Sequence, residues 1–256
     1  MTEISKYFYK VSNDWIRCRP PNVKRICVYY LIGYLRNLSD TGILSLKYII
    51  ESCGYKCRKG IEGVNNTYKT LIGEVIEQQD IILDKGYTYP PHTPTEALPY
   101  TINCDKFDIT TNFTKLTDTE FDTLIRNNPN RNKESVLGVY LYIKSYYHIG
   151  TSLNRPIGFY QSLDSMQEIM GYTRKTLIAL LDELVSCDML YKHYTGSREF
   201  IRNGNKIREN VPNIYIPNLN QSQDEIEDIT ISTVKLMKEH YKVSKFLPFM
   251  KNLKEN

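Results

Sequence analysis

The residues with most chemistry to offer in this chain are cations and hydroxyls set close together. Thr173, Arg174, Lys175 and Thr176 stand in succession and lead straight into an apolar stripe of helical spacing. At the leading end of a helix such side chains offer donors to phosphates and base edges. Lys56, Arg58 and Lys59 form a second group, between Gly54 and Gly63, with Thr67 and Lys69 on the helix after it. A flexible basic loop ahead of a helix can track a phosphate backbone, the competing reading being a solvated surface loop. A third group, Arg198, Arg202, Lys206 and Arg208 with Glu199 and Glu209, falls in TGSREFIRNGNKIRENVP at 195–212, and Lys192 lies just before it. Cations on a hairpin tip reach flanking backbone or a groove. A tip rich in Gly and Asn can also be disordered alone and ordered on its partner.

Other chemistry is not indicated. The sequence has no G-x-x-x-x-G-K-[ST], no G-x-S-x-G and no H-E-x-x-H. His92, His148, His193 and His240 are far apart, and no His-x-His occurs. Cys53 and Cys57 have half-site spacing for a metal, but no second Cys/His pair follows them. Cys57 stands beside three cations, which predicts an unusually acidic thiol. No catalytic residue, metal or cofactor is expected.

Helix and strand periodicities place these groups. SLDSMQEIMGYTRKTLIALLDELVSCDMLYKHY at 162–194 reads as two helices and a strand. Ser162 caps the first, which buries Leu163, Met166, Ile169 and Met170, and Gly171 ends it in the left-handed conformation. Leu177, Leu180, Leu181, Leu184 and Val185 form the buried stripe of the second. MLYKHY alternates as a strand does, and NIYIP at 213–217 returns beside it, so 195–212 becomes a wing tip. The whole resembles a winged helix-turn-helix.

Upstream the same order recurs. Helices are predicted at 22–37 and 66–79, a strand leading into a helix at 43–53, and a strand at 80–83. SLKYIIESCGY at 45–55 parallels SLDSMQEIMGY at 162–172. Aligning Thr67 with Thr176 puts Tyr68, Leu71, Ile72, Val75 and Ile76 on the stripe of the later helix, the signature of a duplicated unit.

The expected domains are an N-terminal arm at 1–21, holding Trp15 with Arg17 and Arg19, and a first winged-helix-like domain at 22–87. A Pro-rich linker at 88–110 and a second winged-helix domain at 111–218 follow, then a C-terminal helical tail at 219–256. The arm either lies along DNA or is stapled to the first domain by Trp15 and Ile16. Pro90, Pro91, Pro94 and Pro99 mark the linker. Thr117 and Glu120 form a capping box, 135–147 is a helix, and 148–161 is an insertion. In the tail, 226–241 reads as an amphipathic helix, followed by Phe246, Leu247, Phe249 and Met250. That apolar end packs back on its own chain or meets a partner. The expected fold class is mainly α with small β-hairpin wings: two tandem winged-helix domains plus a C-terminal helix.

The 256 residues carry a formal net charge of +4 and 41% hydrophobic content, which permits but does not demand a nucleic-acid partner. No apolar run is long enough to span a bilayer, and the start MTEISKYFYKVSNDW lacks the apolar core of a signal peptide. Together with six scattered cysteines this predicts a cytoplasmic protein with free thiols.

LTDTEFDTLI, the helix at 135–147, the 162–190 core and NIYIPN together resemble the winged-helix domains of replication initiators and DnaD-type primosome proteins of Gram-positive plasmids and phages. The resemblance covers about Phe113 to Pro217. It implies DNA binding at iterons or origins, dimerisation or higher self-association, and recruitment of replication proteins such as a helicase loader. The chain departs from the DnaD type: it lacks that C-terminal domain, and another winged helix precedes the recognisable one. Tandem winged helices also occur in iteron-binding plasmid initiators. The expected function is therefore sequence-specific binding of double-stranded DNA by a replication initiator or replisome organiser. A transcriptional regulator, or a winged-helix scaffold binding only proteins, remains open.

Overall fold

The computed structural model describes residues 7–60, 62–147 and 156–248, and its contacts divide the chain into two units, Met1–Leu141 and Tyr142–Asn256. His148, Phe249 and Met250 lie outside the described residues.

The first unit opens with strand β1 (Phe8–Ser12) and the short helix α1 (Asn13–Ile16). Helix α2 (Val23–Tyr34) follows, buried from Ile26 through Gly33, so it is a central helix with no solvent face along that run. Strand β2 (Thr41–Leu44) leads into α3 (Leu46–Ser52), whose N-terminus is capped by the Ser45 hydroxyl. Helix α4 (Val64–Glu77) buries Tyr68, Ile72 and Val75 and leaves Leu71 and Ile76 half-buried. Strands β3 (Ile81–Leu83) and β4 (Leu98–Ile102) then form an antiparallel sheet in the order β2-β4-β3.

Strand β4 overturns the linker expected at 88–110. It is the central strand, with Leu98, Tyr100 and Ile102 turned into the core. Pro99 is tolerated because its backbone nitrogen faces the side on which β3 has ended. There its carbonyl accepts from the Asp84 amide at 3.0 Å, and only the return donor is missing.

Helix α5 (Cys104–Phe107), strand β5 (Phe113–Thr117), helix α6 (Asp118–Phe121), a π-helical turn (Asp122–Arg126) and helix α7 (Lys133–Tyr146) follow. β5 pairs antiparallel with β1, placing Tyr9 opposite Leu116 and Val11 opposite Thr114. The expected arm therefore contains a sheet strand, and Trp15 packs against Tyr29 at 4.7 Å between ring centroids. Residues 111–141, expected to open the second domain, belong to the first unit, with Leu116, Phe121, Leu124 and Ile125 in its core. The capping box of Thr117 and Glu120 forms as read. The division between units falls inside α7.

In the second unit Phe159 exchanges both backbone hydrogen bonds with Tyr215, at 2.9 and 2.8 Å. Helices α8 (Leu163–Met170) and α9 (Arg174–Ser186) come next, then strand β6 (Leu190–His193). The hairpin β7 (Ser197–Arg202) and β8 (Asn205–Asn210) precedes β9 (Ile214–Pro217), which pairs antiparallel with β6. Both stretches thus share one chain order: helix, extended segment, two helices, then β3 and β4 in the first and β6 and β9 in the second, where the β7–β8 hairpin is inserted, the last strand lying beside the extended segment. Helix α10 (Gln223–Tyr241) closes the unit, capped by Ser222 and Glu225. Its Ile229 and Met237 join Val211, Ile214 and Ile216 in a cluster that also receives Tyr241 and Phe246, so the tail packs back on its own unit. Beyond it, Leu247 exchanges two 2.8 Å backbone bonds with Ser197 at the base of the hairpin. Gly196 sits at φ +108°, and a Cβ there would lie 2.1 Å from the Leu247 carbonyl oxygen, so only glycine permits the approach.

The mainly α expectation is overturned. Of the described residues 45% are helical and 19% lie in strands, with several small antiparallel sheets and ten α-helices among them, a mixed α and β fold. The expectation counted strands near the wings and missed β1 and β4, while the wing itself is a regular hairpin.

Candidate nucleic-acid interface

Helix α8 ends at Gly171, which takes the left-handed conformation (φ +75°), and α9 begins at Arg174, so a three-residue turn joins them. Thr173 caps α9: its hydroxyl accepts from the Thr176 amide at 3.2 Å and lies 2.8 Å from the Thr176 hydroxyl. Both threonines thus organise the helix start. Arg174 pairs with Asp164 of α8 at 2.8 Å, but the side chains are 59% and 79% exposed. Such a pair contributes about 0–1 kcal/mol and yields readily to a phosphate. Lys175 is exposed and enters no ion pair among the described residues.

The wing differs from expectation. Arg198 pairs with Glu209, directly opposite it across the hairpin, at 3.3 Å. Its guanidinium also lies 4.9 Å from the Phe200 ring centroid and 4.5 Å from that of Tyr241. Lys206 pairs with Glu199 at 2.5 Å. Arg208 donates to the Ser197 hydroxyl at 2.8 Å and to the Pro248 carbonyl. Three of the four wing cations are thus engaged within their own unit; Arg202, exposed beside the Asn203-Gly204 tip, is in no ion pair among the described residues. Lys192 is also committed: its side chain is 14% exposed and meets Asp182 of α9 at 3.1 Å. Burial opposes its charge, yet Asp182 more than offsets this and holds its pKa above the ordinary lysine value.

In the first unit the basic loop is held by a residue the sequence reading passed over. Asn65 is fully buried, donates to the carbonyls of Arg58 and Gly60 at 2.7 Å each, and accepts from the Arg58 amide at 3.3 Å. Its signal was an asparagine in a helix's first turn behind a glycine, where a short amide can close a loop. Buried Lys133 of α7 fixes the loop's other end by donating to the Gly54 carbonyl at 2.9 Å. Lys56, Arg58 and Lys59 are left exposed, with no ion pair among the described residues. Half-buried Lys69 is likewise in no such ion pair, while the Thr67 hydroxyl donates to the Gly63 carbonyl at 3.3 Å. The Cys57 thiol is pushed up by burial and by Glu51, not made acidic by its neighbours in sequence.

Each unit therefore presents exposed cations ahead of or at the start of its second paired helix, with apolar residues holding that helix from behind. Among the described residues no group of three or more His, Cys, Asp or Glu is placed to hold a metal, and no helix is long and apolar enough to cross a membrane. No protein-family model and no curated protein matches this chain.

Proposed function

We propose that the chain is a sequence-specific double-stranded DNA-binding protein built on tandem winged helix-turn-helix units. The observation that carries this reading is the start of α9. A capped helix follows a tight turn, and Arg174 and Lys175 stand exposed at its start, the end from which a recognition helix offers donors to phosphates and base edges. The unpaired cations of the Lys56–Lys59 loop support it from the first unit. The resemblance of 113–217 to initiators and primosome proteins favours a cytoplasmic replication initiator or replisome organiser of a plasmid or phage. It would act as a homodimer or larger assembly, recruit replication proteins and have no catalytic step of its own. Footprinting across an origin and its neighbouring promoters tests this: protection of a repeat array beside the origin supports the initiator, protection of a promoter a transcriptional regulator.

One observation favours a second reading. Ile43 and Ile82 are 60% and 55% exposed on the first unit's sheet, as a protein-binding scaffold would present them. Absence of duplex binding at low salt would select that reading.

A further inference from the structure

The outward stripe of α9 has an apolar centre. Lys175, Ile178, Ala179 and Asp182 follow one another at i, i+3, i+4 and i+7, and all are exposed. Ile178 is 41% exposed, while Leu177, Leu180, Leu181 and Leu184 fill the core on the opposite side. Packing does not require an isoleucine facing out, and a β-branched residue is a poorer helix former than alanine. Asp182, the acid on the stripe, is drawn to Lys192 at 3.1 Å, so its negative charge is offset where it would meet DNA. The stripe therefore runs from cation to methyl-rich surface to neutralised acid.

The corresponding stripe of α4 carries no large apolar side chain. Thr67 aligned with Thr176 places Asn66, Lys69, Thr70 and Gly73 where the second unit has Lys175, Ile178, Ala179 and Asp182. The two helices share a scaffold and present different chemistry.

In the major groove thymine alone among the four bases carries a methyl group, and apolar side chains are what contact it. We propose that Ile178, with Ala179 beside it, reads the 5-methyl group of thymine and makes the second unit's helix selective for a T·A pair at a fixed position. This rests on the duplex-binding reading above.

A pool of random DNA duplexes, selected on the full chain and then resynthesised with deoxyuridine for thymidine, tests it. Deoxyuridine pairs as thymidine does and lacks only the methyl. The expected result is enrichment by the full chain, then about a fourfold loss of affinity for each contacted methyl removed. Ile178→Ala should bind the two forms of the selected pool equally, and Lys175→Ala should still distinguish them. Equal binding of both forms by the unaltered chain overturns the inference and leaves duplex binding standing. Discrimination that survives Ile178→Ala also overturns it, because another residue then reads the methyl. Failure to enrich any duplex removes the duplex-binding reading, and this inference with it.

Discussion

Replacing Lys56, Arg58 and Lys59 together by alanine removes three exposed cations with no ion pair among the described residues, and it spares the backbone bonds through which Asn65 holds the loop. Each neutralised phosphate contributes about 0.9 to the slope of log affinity against log salt, so the triple variant should lose about 2.7 from that slope. Between about 50 mM and about 200 mM salt, the unaltered chain should then lose about 40-fold more affinity than the variant. Fluorescence anisotropy on a random duplex over a salt series reads this directly. Arg198→Ala and Arg208→Ala combined serve as the contrast. These cations are engaged with Glu209, Ser197 and Pro248, so their removal should weaken the hairpin and leave the slope nearly unchanged. A wing variant that flattens the slope as much as the loop variant would refute the reasoning, because cations paired in the free chain would then be the ones that meet phosphate.

Three further outcomes follow from the packing. Leu180→Ala empties a fully buried position of α9 and should cost about 2–5 kcal/mol in urea unfolding; a loss below about 1 kcal/mol would contradict the core assignment. Asn65→Ala removes three bonds between a buried side chain and the loop backbone and should cost about 1–3 kcal/mol, with faster amide exchange over 56–60 as the local signature. Burial holds the pKa of His193 below its ordinary value of 6.5, so its contribution to stability is complete above that pH and is lost as pH falls through it toward the folded value. His193→Gln should flatten the stability profile there, and an unchanged profile would show that other groups set it.

Much of the second unit was legible because its signals are local. Ser162, Gly171 and Thr173 mark helix ends by their own chemistry, and the leucine stripe of α9 falls at the buried positions it predicts, with Val185 half-buried. In the first unit β2 and β3 were legible from their apolar runs, but β1, β4 and the pairing of β1 with β5 were not, because pairing partners are remote. β1 meets β5, with Phe8 opposite Thr117, and neither segment names the other. Pro99 argued against a strand, and only the shortness of β3 removes the objection. The wing stands between these cases. Asn203-Gly204 is a two-residue hairpin turn that fixes Arg198 opposite Glu209, so the pairing that engages this cation was derivable from sequence, though reading charges singly hid it. The Ile178 stripe was hidden for another reason: the sequence shows which residues leave the buried stripe, but not that Lys192 offsets Asp182.

The seating of Leu247 against Ser197 ties the wing to the timing of synthesis. Ser197 is made fifty residues before Leu247, so β7 and β8 can close on each other long before the segment that covers their base exists. Through that interval the edge of β7 lacks the Leu247 partner, and open edges are where one chain borrows a strand from another. Loss of the Leu247 segment returns the finished molecule to the same condition. The buried leucines of α9 would be undisturbed, so damage at the far end of this unit registers first as association between copies, through the hairpin, rather than as unfolding.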